Sequence, residues 1–329
     1  MNYFVRKLGF YAVALWAALT LNFLIPRFMP GNPVDTLLAK LQQRGGSVTP
    51  EVRRSYELLL GTDSEEPIWN QYFSYLANML KGDMGISVSS FPASVSDVIG
   101  QSLPWTIMLV GLATLISFVV GVGMGIFAGW KPGTWVDALV PATTLLAAVP
   151  YFWLALILVF LIASTLQWLP LQGGYDVILT PGWDPAFIFS AIEYGILPAL
   201  TIVISSIGGW LLGMRNMMVS TLSEDYVLTA EAKGLKSSRV IMRYAARNAV
   251  LPSVAGFAIS LGFVVSGSIL TELVFSYPGI GTSLLKAVQN NDFALMQGIF
   301  LVITLTVLGA NLLIDLLYGV IDPRTRVRS

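Results

Sequence analysis

Long apolar runs alternate with polar joints along most of this chain, and the runs exceed what the buried helices of a soluble domain need. Leu8 to about Phe28, Leu103 to Trp130, Val136 to Gln167, Tyr194 to Met214, Leu251 to about Leu273 and Met296 to Tyr318 are all predominantly apolar. Each supplies roughly 20 or more residues, enough to cross ~30 Å of hydrocarbon at about 1.5 Å per residue. Six membrane helices are predicted. No small-x-small cleavage site follows the first run, so it reads as a membrane helix closed by Pro26, Pro30 and Pro33. Pro141 and Pro150 fall inside the third run and predict a kink there.

The polar segments carry their own signals. Residues 29–102 form an extramembrane insertion. Within it Thr49-Pro50-Glu51 has the cap, first-turn proline and acidic residue of a helix start, and Ile68, Tyr72, Leu76 and Met79 make a helical stripe. Two short amphipathic helices packed on the membrane part are expected. The loop LPLQGGYDVILTPGWDP after the third run has the glycines, prolines and tryptophan of an interfacial belt. Tyr277-Pro278-Gly279 reads as a turn, and Ile280 to Gln289 as a short re-entrant or interfacial helix.

Ser223 to Pro252 is the one long polar run between the later apolar segments. A Ser223 hydroxyl can cap a helix from Glu224 to about Lys233, with Glu224 and Asp225 at the positive end of its dipole. Gly234 can take the left-handed conformation that ends it, and Ser237 or Ser238 can cap a second helix running toward Leu251. Arg239, Arg243 and Arg247 then form one cationic stripe beside Val240, Ile241, Tyr244 and Ala245. Such a helix-elbow-helix unit can lie on lipid headgroups or enter a groove on a protein.

Gly121, Gly125 and Gly129 repeat every four residues within the second span. That spacing lets two helix backbones approach closely; the ridge can line a moving seam, but static helix packing, the commoner meaning of such a motif, is the expected role. Charges inside the spans are few: Asp137 and Asp315 fall near inner ends and Glu272 near an outer end, where interfacial or paired structural roles are expected. A proton-driven pathway has little to work with.

Composition narrows the chemistry further. Of 329 residues 55% are hydrophobic and 12% charged, with a mean hydropathy of +0.72, whereas about a quarter of a soluble domain is charged. The formal net charge is zero, so no nucleic-acid partner is implied. Cysteine and histidine are both absent, which excludes disulfides, thiolate or imidazole metal sites and Ser-His or Cys-His nucleophiles. An intramembrane hydrolase would need a Ser-Lys or paired-Asp set, and no lysine or aspartate pair sits at a useful depth. A stand-alone secondary transporter would need an internal repeat and midplane polar groups, neither of which is clear. No catalytic residue, metal ligand or pathway-lining residue is assigned.

AEAKGL followed by RNAVLP resembles the cytoplasmic coupling loop of binding-protein-dependent ABC importer permeases, in the variant carried by dipeptide and oligopeptide permeases. MPGNPVDTLL, YLANMLKGDMGISV, the terminal IDPRTRVRS and above all ELVFSYPGIGTSLLKAVQNNDFALMQG resemble the same family, and specifically its first, B-type subunit. The broader importer pattern has Glu-Ala-Ala six to four residues before the glycine, where this chain has Leu228, Thr229 and Ala230, with Glu231 displaced along the helix. The resemblance implies an all-α integral membrane protein of about six transmembrane helices, the type I importer fold. It implies a first helix within 1–28, a helical extracytoplasmic insertion at 29–102, and a five-helix permease core at 103–329 that includes a coupling loop at 215–250. It further implies that Ala230, Glu231, Ala232, Lys233 and Gly234, flanked by Glu224 and Leu235, enter a cleft of an ATP-hydrolysing subunit.

The positive-inside rule agrees with both termini in the cytoplasm of a bacterial-type inner membrane. Inner segments then hold Arg6, Lys7, Lys131, Arg215, Lys233, Lys236, Arg239, Arg243, Arg247, Arg324, Arg326 and Arg328; outer segments hold Arg27, Lys40, Arg44, Arg53, Arg54, Lys81 and Lys286. The implied partners are a homologous second permease, two ATP-binding subunits or one fused ATPase, an extracytoplasmic substrate-binding protein and the lipid bilayer. ATP and Mg belong to the partner ATPases, so no cofactor is expected on this non-catalytic chain. Peptides are the first expected substrate, although members of the family also carry oligosaccharides and nickel, the latter disfavoured by the missing histidines.

Overall fold

The structure, a computed structural model, describes residues 3–43, 45–60, 67–266 and 268–321. Arg44, Arg324, Arg326 and Arg328, together with the IDPRTRVRS end beyond Ile321 and the Asp315 side chain, lie outside the described residues. Among the described residues the regular elements are all helices, joined by turns and loops, apart from one isolated bridge between Ile86 and Ser94. In chain order the helices are α1 (Tyr3–Phe28), α2 (Pro33–Gln43), α3 (Pro50–Leu59), α4 (Ile68–Lys81), α5 (Val95–Trp130), α6 (Trp135–Ala148), α7 (Tyr151–Leu158) and α8 (Pro185–Leu222). They continue as α9 (Asp225–Ala232), α10 (Ser237–Arg239), α11 (Ala246–Ala249), α12 (Leu251–Phe263), α13 (Ile269–Val274), α14 (Ile280–Gln289) and α15 (Phe293–Ile321).

Among the described residues four helices are long and apolar enough to cross a membrane: Arg6–Phe28, Val95–Trp130, Pro185–Leu222 and Phe293–Leu312. A fifth span exists if Trp135–Ala148 and Tyr151–Thr165, bent by 99° at their break, count as one. The proline kink is thus a full break, placed at Pro150, which is the extended residue before α7; Pro141 stays inside α6. A proline has no N–H to donate and its ring excludes the preceding turn, so the chain turns there. The expected fifth span, Leu251 to Leu273, is two pieces instead: 13-residue α12, at ~20 Å too short to cross alone, and six-residue α13. The fourth is longer than expected, since the 38 residues of α8 reach ~57 Å and cannot be contained in ~30 Å of hydrocarbon.

The contacts divide into two compact units, 1–104 with 279–329, and 105–278. In the first, α1 runs beside α15: Asn22 Nδ2 donates to the Gln297 carbonyl at 2.8 Å and Gln297 Nε2 returns a bond to the Asn22 carbonyl at 3.3 Å. α4 lies against α1, with the Phe23 ring flanked by Tyr72 and Tyr75. The stripe read from sequence is shifted: Tyr75 is buried and pushed up in pKa, chiefly by desolvation, while Ile68 at the start of the helix is exposed. Thr49 caps α3 as expected, accepting from the Val52 amide. α2 was not foreseen, and α5 begins at Val95 rather than Leu103, taking the last residues assigned to the insertion into a membrane helix.

A buried carboxylate closes this unit. Asp292 Oδ2 accepts the Ser87 hydroxyl at 2.6 Å and the Ser89 amide at 2.7 Å, and Oδ1 accepts the Leu295 amide at 3.1 Å. It therefore caps α15 and holds the turn at 87–89 with one side chain.

In the second unit α5, α6, α7 and α8 form the framework. An added Cβ on Gly121, Gly125 or Gly129 would stand 2.7, 2.6 and 2.5 Å from the Cβ atoms of Trp210, Met214 and Met218 respectively. The glycine ridge is therefore a close-packed seam between α5 and α8, as its spacing predicts. A second close approach was missed: a Cβ on Gly208 would meet the Thr143 carbonyl of α6 at 2.5 Å.

Candidate functional site

The polar run after α8 folds back onto this framework. α8 continues to Leu222, so Ser223 ends one helix and does not begin the next: its hydroxyl donates to the Ser220 carbonyl at 2.8 Å. Glu224, extended at φ −74° and ψ 141°, stands at the cap position of α9 with no side-chain cap bond. Gly234 ends α9 at φ +72°, as read from the sequence. Its amide bonds the Glu231 carbonyl at 2.8 Å while the Leu235 amide reaches the Ala230 carbonyl at 3.4 Å, the paired closure of a left-handed helix stop.

The second half differs from the expected regular helix. Lys236 caps α10, and neither Ser237 nor Ser238 makes a side-chain cap bond. Val240–Ala245 is π-helical, and α11 follows directly. The wider turn swings Val240, Ile241 and Ala245 inward together and leaves Arg239, Arg243 and Arg247 exposed. Tyr244, expected on the apolar face, is exposed; Ala246 and Ala249 take its place in the buried set.

One apolar cluster joins the run to the framework. Val227 and Ala230 of α9 and Val240, Ile241, Ala245, Ala246 and Ala249 pack with Val122 of α5 and Met214 and Met218 of α8. Ala230, expected at a protein contact, thus faces inward at 3% exposure, and Leu235 is half-buried beside it. Glu224, Glu231, Ala232, Lys233 and Gly234 are exposed and share the outer surface with Tyr226 and Leu228. The Asn248 side chain donates to the Tyr226 hydroxyl at 3.1 Å, tying α9 to α11. Met214 and Met218 also meet Gly125 and Gly129. Met214 and Met218 thus belong both to the cluster beneath α9 and to the α5–α8 seam.

Near the start of α5 the fold gathers residues that the sequence named separately, Glu272 and Tyr277, with aromatic residues it did not name. Trp105 stacks on Tyr175 at 5.6 Å and meets Tyr277 and Phe187 edge-on. Glu272 is fully buried and accepts the Thr106 hydroxyl at 2.8 Å, a paired structural role of the kind its position suggested. Burial, followed by the Glu272 charge, pushes the Tyr277 phenol well above its ordinary pKa. Asp137, the other paired candidate, bonds Arg215. Among the described residues no three carboxylates cluster as a metal site would need.

Residues 121–327 match the family model described as binding-protein-dependent transport system inner membrane component. The dipeptide transport system permease protein DppB of Escherichia coli strain K12 is 32% identical over 344 residues, covering 99% of each chain. The di/tripeptide transport system permease protein DppB of Pseudomonas aeruginosa is 31% identical over 341 residues, again 99% of each. The oligopeptide transport system permease protein AppB of Bacillus subtilis strain 168 is 28% identical over 324 residues, 98% of each. With a family match over more than half its residues and relatives aligned end to end, the chain belongs to the binding-protein-dependent transport system inner membrane components.

Proposed function

We propose that this inner-membrane permease forms half of a translocation pathway for peptides, and that α9 with its glycine elbow docks on an ATP-hydrolysing subunit. A homologous second permease completes the pathway, an extracytoplasmic binding protein delivers the peptide, and two ATPase subunits or one fused ATPase bind ATP and Mg. Both termini then face the cytoplasm, placing the basic 215–250 segment on the ATP side. The end-to-end similarity to relatives named as dipeptide, di/tripeptide and oligopeptide permeases supports the substrate class.

The observation that carries the coupling reading is the two-sidedness of α9. Its inner face is fixed by Val227 and Ala230 to the residues that make the α5–α8 seam, while Glu224, Glu231, Ala232, Lys233 and Gly234 remain open to a partner. Closure of the ATPases moves α9, and the shared methionines pass that movement to the spanning helices, switching the cavity between its two faces.

Gly234 provides the test. Its left-handed φ strains most side chains, but a Cβ there meets nothing within 4 Å, so a side chain at this position starts into open space on the face offered to a partner. Asparagine tolerates the conformation and serves as a control for strain. Purification of the assembled transporter should retain the ATPase with Gly234→Asn and lose it with Gly234→Trp, together with substrate-stimulated ATP hydrolysis. Equal retention by both variants would remove the docking assignment.

A further inference from the structure

An apolar groove runs between the last two turns of α5 and the π-helical stretch after α10. It has a volume of about 270 Å³ and is lined by Gly123, Ile126, Phe127, Trp130, Ser238, Ile241 and Met242. From Gly123 to Trp130 it spans seven helical steps, ~10 Å, which fits within one ~15 Å leaflet of hydrocarbon. Trp130 ends the apolar run of α5, at the level where amphipathic rings meet headgroups.

Cations neighbour the lining residues in sequence. Three lining residues, Trp130, Ser238 and Met242, are each followed directly by a cation: Lys131, Arg239 and Arg243. The Lys131 ammonium lies 4.6 Å over the Trp130 ring, fixing one positive charge at the mouth. Arg239 and Arg243 are exposed, and among the described residues neither they nor Lys131 pair with a carboxylate. An apolar slot of acyl depth, with Lys131 held over its Trp130 and two exposed arginines each one residue from its lining, is complementary to one class of molecule.

We propose that this groove binds an anionic phospholipid, one acyl chain lying along Gly123, Phe127 and Met242 and the phosphate held among Lys131, Arg239 and Arg243. A guanidinium can give a phosphate two parallel hydrogen bonds, so the arginines supply orientation as well as charge. The bound lipid bridges α5 to the segment following the glycine elbow. This makes the leaflet on that side a component of the unit that moves α9.

The test is native mass spectrometry of the purified full-length chain with phosphatidylglycerol or phosphatidylcholine of the same acyl length. The unmodified chain should retain phosphatidylglycerol in clear preference, and each of Lys131→Gln, Arg239→Gln and Arg243→Gln should lower that retention by about fivefold, the factor for ~1 kcal/mol per cation near an anionic headgroup. A Cβ on Gly123 meets nothing within 4 Å, so Gly123→Leu fills the groove while sparing the glycine seam, and should lower retention of both lipids. The three glutamine variants alter only exposed side chains and keep the test valid if Gly123→Leu fails to fold. Equal retention of the two lipids by the unmodified chain overturns the proposal. So does a triple glutamine variant that keeps the phosphatidylglycerol preference, or one that loses an ATPase partner while lipid retention is unchanged, since the stripe would then serve that partner.

Discussion

Arg215 Nε lies 2.5 Å from Asp137 Oδ1, fastening α8 to the first turn of α6 at the end of the seam that carries Gly129. The same carboxylate accepts the Gly133 amide at 2.9 Å, so it also holds the tight turn between α5 and α6. Asp137→Asn keeps the shape and removes the charge. A lower melting temperature in detergent is expected, with partial recovery in the charge-swapped pair Asp137→Arg with Arg215→Asp, partial because the swap loses the Gly133 bond. Purely additive effects of the two single changes would mean that the pair contributes nothing of its own.

Two glycines two residues apart on α5 should respond oppositely. A Cβ on Gly125 would sit 2.6 Å from the Met214 Cβ and 2.7 Å from the Leu211 carbonyl, and backbone cannot move aside. Gly125→Ala should therefore destabilise by about 1–3 kcal/mol, the usual cost of overpacking. At Gly123 a Cβ meets nothing within 4 Å. Gly123→Ala should be neutral or stabilising by up to ~1 kcal/mol, because alanine loses less backbone freedom in a helix. Thermal unfolding of the two variants side by side separates these outcomes.

Asp292→Ala removes three hydrogen bonds and strands the buried Ser87 hydroxyl and the Leu295 amide. Each buried orphan costs about 1–3 kcal/mol. Hydrogen exchange should rise at residues 86–95 and in the first turn of α15, while protection of α5 and α8 around the glycine seam stays as it was. Uniform loss of protection along the chain would show that Asp292 holds more than this turn.

Ala230→Leu forces extra methylenes into the cluster beneath α9, where Ala230 is 3% exposed. Faster amide exchange across residues 225–235 and weaker substrate stimulation of ATP hydrolysis are expected. Unchanged stimulation despite the faster exchange would separate the seating of α9 from coupling.

What the sequence alone determined is what neighbouring residues settle among themselves. The Thr49-Pro50 start of α3, the left-handed stop at Gly234 and the bounds of α14, observed at Ile280–Gln289 as read, each follow from capping, backbone freedom or proline geometry within a few residues. The length and hydropathy of the runs decided that the chain belongs in a bilayer, and the four-residue glycine spacing decided that α5 would meet another helix closely. Tertiary structure alone decided that this helix is α8, that Gly208 makes a second close contact with α6, and that Ser223 closes α8 instead of opening α9. It also decided that the third run breaks by 99° at Pro150 and that Val240–Ala245 widens into a π-turn. A proline permits a break and a mixed apolar run permits a wider turn, but the bend taken and the side chains swung inward depend on what waits to receive them. The partners of Ala230, Glu272 and Asp292 come from segments remote in sequence, so no local pattern could name them.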